Sequence, residues 1–387
     1  MRAFSQIAIL AFLLTTSHFA FAANSREPQP PKGERNQDSI IGEGKEFTKS
    51  YNKTFNVSSN ILVILSNKYG KIDVKTGGGS QAVVNVVIKV QASSQAEADK
   101  AFNRINIAFT DGPDYVKAET EIESQNNGWW SWGSNSSDFA IDYDVTMPAA
   151  NKLDLSNKYG NSHIAPLSNW VKIDQKYGDF KLDGAATATI NLAYGGGTIG
   201  KLMGLNATIS YGKLSSADIK DVAMKSKYSA FKFDKIENFA VTSAYDDYQV
   251  NSVTNFTIDS KYGDMILGNV ENIAVKSSYT DFKIRKIGSS ADFQTNYGDV
   301  RIDAVKTGFD ALNLKGNYTD YVVTIDPSVS YQLDVVTSYG DVNHSTSLTT
   351  KIDKEKGSSK EIMGYVGNQN TKSMIKARLN YGDLIIK

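Results

Sequence analysis

Cysteine is absent, histidine occurs three times and proline seven times in 387 residues, and neither sign of charge is in excess, with 42 Lys and Arg against 42 Asp and Glu. Each shortage excludes something. Without cysteine there is no disulfide framework, thiolate zinc site, thiol nucleophile or lipid attached through an N-terminal Cys. A balanced charge lacks the basic excess that a general nucleic-acid binder needs, so no nucleic-acid partner is expected. No later stretch approaches the roughly 18 apolar residues of a membrane-spanning helix, so no transmembrane segment is expected. What is abundant is 30 Gly, 20 Tyr and 17 Phe, a composition that suits strands and turns.

The first residues read as an address. Arg2 gives a positive start, residues 7–14 (IAILAFLL) an apolar stretch, and Ala20, Phe21 and Ala22 a small-x-small cleavage pattern. Residues 1–22 are therefore expected to be a signal peptide and the chain an exported one, in the periplasm, on the outer surface or secreted. Residues 23–45, polar and proline-containing, read as a flexible leader.

A repeat dominates the remainder. Tyrosine, usually followed by glycine, recurs at Tyr159, Tyr177, Tyr194, Tyr211, Tyr228, Tyr245, Tyr262, Tyr279, Tyr297, Tyr318 and Tyr339, first at intervals of 17 or 18 and then of 21, with outlying copies at Tyr69 and Tyr381. Six and four positions before each Tyr sit apolar residues, as in Val222/Met224, Phe239/Val241 and Phe256/Ile258. Three, five and eight positions after it come more, as in Phe231, Phe233 and Ile236. Two before it the residue is small, as in Ser226, Ser243 and Ser260. Alternation on both sides of a Tyr-Gly turn predicts two short strands per unit, each with one buried face. The glycine is expected to supply a positive φ at that turn.

Two short strands per unit fit either an antiparallel meander or a β-solenoid whose coils stack about 4.8 Å apart. The solenoid accounts for the constant register, because identical residues then stack on themselves. About ten coils would make a rod roughly 50 Å long. A membrane barrel would need strands of about 9–11 residues, longer than these. Residues 46–150 are expected to form a strand-rich region with one helix at about 93–107, capped by Ser94 and Glu97, and a Trp-rich loop at 124–137. Residues 151–345 hold the repeats, and 346–387 read as capping coils.

Candidate sites follow from this frame. Asp247, Asp264, Asp281, Asp299, Asp320 and Asp341, each two residues after a Tyr, would form a column with Asp179 and Asp383 outside it. Stacked carboxylates could recruit a divalent cation; equally, Asp is a good turn residue that bonds its own backbone. The Tyr column could offer faces to sugar rings, but it shares strand parity with the buried positions and has a small residue beside it, which favours a structural corner ladder. Trp129, Trp130 and Trp132 lie in a Ser/Asn-rich loop, where exposed aromatics would contact a glycan, lipid headgroup or protein, unless the loop folds back on its own indoles. Neither His163 nor His344 falls in a recognisable catalytic arrangement, and the glycine runs lack a phosphate-binding lysine. No catalytic residue and no cofactor is expected, although paired carboxylates of a glycosidase remain open.

The Tyr-Gly-Asp repeats, the signal-like start and an N-terminal strand region carrying Tyr69-Gly70-Lys71-Ile72-Asp73-Val74 together resemble the bacterial adhesin-like families of unknown-function domains, including the head GIN type of Bacteroidetes. The resemblance implies an all-β protein built as a right-handed, single-stranded parallel β-solenoid. It also implies an exported, non-enzymatic role in binding or scaffolding at the cell envelope or surface, with a glycan or an envelope or cell-surface protein as partner. The alternatives are a carbohydrate-active β-helix enzyme and a periplasmic structural or signalling partner.

Overall fold

The computed structural model describes residues 44–77, 79–123, 139–344 and 347–387. These are mostly strand, with one helix among them. The repeats stack in parallel with a constant offset. Strand Gly196–Ser210 pairs with Lys213–Lys227 along nearly its whole length, so that Leu205 faces Val222 and Ala207 faces Met224. Lys213–Lys227 pairs in the same way with Ala230–Ala244, and that strand with the next. Successive units are therefore coils on one axis rather than hairpins of a meander.

The alternation of the sequence is the alternation of burial. Val222, Met224, Phe231, Phe233 and Ile236 are all buried, as are their counterparts one coil on, Phe239, Val241, Tyr248, Val250 and Val253. Since in-register stacking brings like against like, the interior contains columns of rings: Phe239 stacks on Phe256 at 5.0 Å and Phe231 on Tyr248 at 4.5 Å. Each such aromatic pair adds about 0.5–1.5 kcal/mol beyond the area it buries. The small residue two before each Tyr is also buried, at Ser226, Ser243, Ser260, Ser277, Thr295 and Thr337.

At both ends the stack departs from chain order. Strand Leu62–Lys68 lies between Tyr115–Ile122 on one side and Lys152–Lys158 on the other, parallel to both. Ile72–Thr76 is likewise flanked by Phe139–Met147 and Ser162–Ile164. At the far end the last strand pair, Met374–Asn380 and Leu384–Ile386, enters between the coil at 311–323 and the coil at 331–343. The outermost coil is thus 331–343, and the antiparallel pair Thr349–Lys356 and Ser359–Val366 lies along its edge. The first end is edged by Lys45–Asn56 and Gln81–Ala92, antiparallel to each other.

The helix is shorter than the sequence suggests, running Gln95–Phe102. Ser94 caps it by accepting from the Glu97 N–H, and the Glu97 carboxylate returns to the Ser93 backbone N–H at 3.2 Å. Ile105, inside the stretch expected to be helical, instead begins strand Ile105–Asp111.

Candidate functional site

The Tyr corner differs from its expected form in two respects. All thirteen repeat tyrosines have positive φ, between 51 and 63°, whereas of the glycines that follow them only Gly263 and Gly298 do, at 146 and 145°; the left-handed position common to every coil is therefore the Tyr. A non-glycine residue there costs on the order of 1 kcal/mol. The Tyr side chain is thereby turned outward: from Tyr211 onward every ladder Tyr is at least 41% exposed. The glycine is required for another reason. A Cβ on Gly160 would lie 1.9 Å from the Gly70 carbonyl oxygen, and one on Gly263 2.0 Å from that of Asp246. The coils touch backbone to backbone at this corner.

Four coils carry a side chain where the others have that glycine. Ser229, Thr280 and Thr319 are buried, and each hydroxyl donates to the carbonyl two residues back. Asp246 is wholly buried and accepts from the Ser226 and Ser243 hydroxyls and from the backbone N–H of Ser229 and Ala244. Burial pushes its carboxyl above the ordinary range against those four donors.

Outside the corner the rings form one unbroken stack. From Tyr69 through Tyr159 to Tyr318 the centroids are 4.7–5.1 Å apart and the planes within 10° of parallel. Tyr381 then enters between Tyr318 and Tyr339, so the two outlying copies are rungs of the same ladder. Because each ring covers the faces of its neighbours, the ladder offers edges and hydroxyls, not open faces on which a sugar could stack. Lys158 and Lys176 lie over Tyr159 and Tyr177, at 4.8 and 5.3 Å.

The Asp column also closes on itself. The carboxylate of one coil accepts the N–H of the equivalent residue in the next: Asp264 donates to Asp247 at 3.2 Å, Asp299 to Asp281 at 2.8 Å, Asp320 to Asp299 at 3.4 Å, Asp383 to Asp320 at 2.8 Å and Asp341 to Asp383 at 2.7 Å. Asp383 is therefore inside the column, and Asp179 makes the same bond to Gly196 N–H at 2.5 Å. Partial burial, then the charges of Asp247 and Asp281, raise the Asp264 carboxyl above its usual range. Asp299 is raised by partial burial and by Asp320 and Asp281, against the bond it accepts from Asp320 N–H. Among the described residues no three His, Asp or Glu side chains converge as a metal cage.

His163 has carboxylate partners that the sequence did not reveal. Its Nδ1 lies 3.2 Å from Asp73 and its Nε2 2.9 Å from Asp183. The three residues come from three stacked coils, so the contact pins the inserted coil at 62–76. Burial opposes ionisation of Asp183, but Lys181 and His163 hold its carboxyl below the usual range.

A further feature is legible only with the coils stacked. The outward position five before each Tyr is occupied by Asn206, Ala223, Ala240, Thr257 and Ala274, small side chains set in register. They floor an open trough of about 740 Å3 along the rod. On one side the same small residues border an adjoining hollow lined by Asp221, Asn238 and Asn255, part of an amide row in which Asn238 donates to Asp221, Asn255 to Asn238 and Asn272 to Asn255 at 2.7–3.0 Å. The other carries Lys225, Thr242, Asp259, Lys276 and Gln294. Alanine at the same outward position in three of four successive coils, Ala223, Ala240 and Ala274, was the signal in the sequence. Trp129, Trp130 and Trp132 lie outside the described residues, between strands Tyr115–Ile122 and Phe139–Met147.

Residues 200–387 match the family model described as Toastrack DUF4097. Among solved structures, a proposed cell adhesion protein from Clostridium sporogenes aligns over 88% of this chain and 99% of its own at 10% identity and a TM-score of 0.19. A proposed adhesin from Bacteroides fragilis aligns over 88% and 97% at 9% identity and a TM-score of 0.22. A proposed lipid-binding protein from Parabacteroides distasonis aligns over 87% and 96% at 9% identity and a TM-score of 0.25. No curated protein matches the chain.

Proposed function

We propose that this chain is an exported, non-enzymatic, adhesin-like β-solenoid that binds a linear glycan at the cell envelope or surface. The observation that carries the reading is the trough. A rigid, regular rod sets amide, hydroxyl and charged groups in rows beside a floor of small side chains, so its donors and acceptors repeat at the coil spacing of about 4.8 Å. A chain of sugars, which repeats its own hydroxyls, can follow such rows over several coils. Individually weak contacts then sum along one ligand. The winding is right-handed and single-stranded, the hand that parallel crossovers favour. Trp129, Trp130 and Trp132, aromatic residues in a polar stretch of sequence, supply a second contact.

The test is a glycan array run beside digestion of the same polysaccharides. The expected result is retention of one class of linear glycan with no release of reducing ends or unsaturated products, weakened by changing the three tryptophans together to alanine. Product release makes the chain an enzyme and overturns the proposal, as does failure to retain any glycan.

A further inference from the structure

We propose that the tyrosine column is an oxidative cross-linking site, in which neighbouring rungs couple to dityrosine and staple one coil to the next. The inference is independent of any glycan. It rests on three observations: thirteen tyrosines form one stack with centroids 4.7–5.1 Å apart, the rungs from Tyr211 onward are exposed at the surface, and the chain has no cysteine with which to staple itself otherwise.

The chemistry needs two phenols in contact and a one-electron oxidant, here hydrogen peroxide acting through a haem peroxidase. Each of two adjacent phenols loses one electron and one proton. The ring radicals join ortho carbon to ortho carbon, and the two ortho hydrogens then move to the oxygens, which restores both phenols and both aromatic rings. The net change is one C–C bond formed, two ring C–H bonds broken and two hydrogens lost, while one peroxide becomes two waters. A radical on one rung always has a second phenol at ring-contact distance, because the backbone fixes every Tyr in the same left-handed conformation. A modest tilt of the two rings brings their ortho edges together. The interior tyrosines are built differently: Tyr143, Tyr248 and Tyr321 are buried, with their hydroxyls against Thr120, Ser226 and Thr295. They serve as an internal control.

The experiment treats the full chain, dilute, with a haem peroxidase and peroxide, and maps the products by mass spectrometry. The expected result is blue dityrosine fluorescence in the monomer, with a loss of two hydrogens per link and links between spatial neighbours. The decisive links are Tyr318–Tyr381 and Tyr381–Tyr339, with none between Tyr318 and Tyr339, which are closer in sequence but separated by a rung. In Tyr262→Phe, which keeps a ring in the stack, the links to Tyr245 and Tyr279 disappear and the unfolding temperature stays within a few degrees of wild type. Urea lowers the yield of the Tyr318–Tyr381 link at least tenfold. Absence of dityrosine in the folded monomer overturns the proposal. So do links confined to dimers, or links at Tyr51 and Tyr115 in yields equal to those of the ladder.

Discussion

The ring of Tyr318 stacks on that of Tyr381 at 4.8 Å and not on that of Tyr339, the next copy of the repeat in sequence. The final strand pair of the chain is therefore an internal layer, with the coil at 311–323 on one side and that at 331–343 on the other. Ile375, Ala377, Leu379, Leu384 and Ile386 are buried accordingly. Truncation at Lys372 should remove a layer from within the stack and expose two coil faces. The expected outcome is cleavage of residues 331–366 by dilute protease under conditions in which the full chain resists. Leu384→Ala alone should cost about 2–5 kcal/mol in urea unfolding, as for a core position rather than a frayed terminus.

The left-handed tyrosines predict an inverted order of substitutions. In Tyr245→Ala the strained φ of 61° remains while both ring stacks are lost, a cost of about 1–3 kcal/mol at about 0.5–1.5 per stack. Tyr245→Gly loses the same stacks but relieves on the order of 1 kcal/mol of backbone strain. Glycine should therefore destabilise less than alanine at this position, as read from urea midpoints.

At the glycine after the Tyr the order is the ordinary one, but the cause is contact. Gly160→Ala would drive a Cβ to within 1.9 Å of the Gly70 carbonyl oxygen. The backbones must separate, and a cost of about 1–3 kcal/mol or more is expected. Gly357→Ala, whose Cβ would meet nothing within 4 Å, carries only the strain of a φ of 61° and should cost less.

The Asp column predicts a pH dependence of definite sign. The carboxyls of Asp264 and Asp299 are raised in the folded chain. The folded state consequently holds their protons more tightly than the unfolded state does. Their stabilising contribution is complete below the ordinary carboxylate range and is lost as pH rises through the folded values. Asp264→Asn keeps an acceptor oxygen and removes the repulsion. It should raise the unfolding temperature at neutral pH, and the gain over wild type should shrink as pH falls toward about 4. Taking the difference from wild type cancels the opposite contribution of Asp183, which is lowered.

Much of this was legible in the sequence, because a repeat repeats its burial. The spacing of Val222, Met224, Phe231 and Phe233 about Tyr228 gave the two strands, the inward faces and the stacked register. What was not legible belongs to contacts between coils. Nothing in Tyr69 or Tyr381 says that its strand is inserted between two others, since insertion is a choice among equivalent layers. The positive φ was expected at the glycine because glycine tolerates it best. Every repeat Tyr carries it instead, and of the following glycines only Gly263 and Gly298 share it; what the glycine supplies is room for the approach of two backbones. The trough, likewise, exists only once Ala223, Ala240, Thr257 and Ala274 are set in one row.

The most direct test of the functional account fills that trough. Ala240→Trp places a large ring on its floor, whereas Lys232→Trp places the same ring on an exposed position of another strand face. Binding of the retained glycan is to be measured by titration calorimetry for the wild type and both variants, with matched unfolding temperatures. The account predicts at least a tenfold loss of affinity for Ala240→Trp and none for Lys232→Trp. Equal affinity in all three proteins would contradict it and move the binding surface away from the trough.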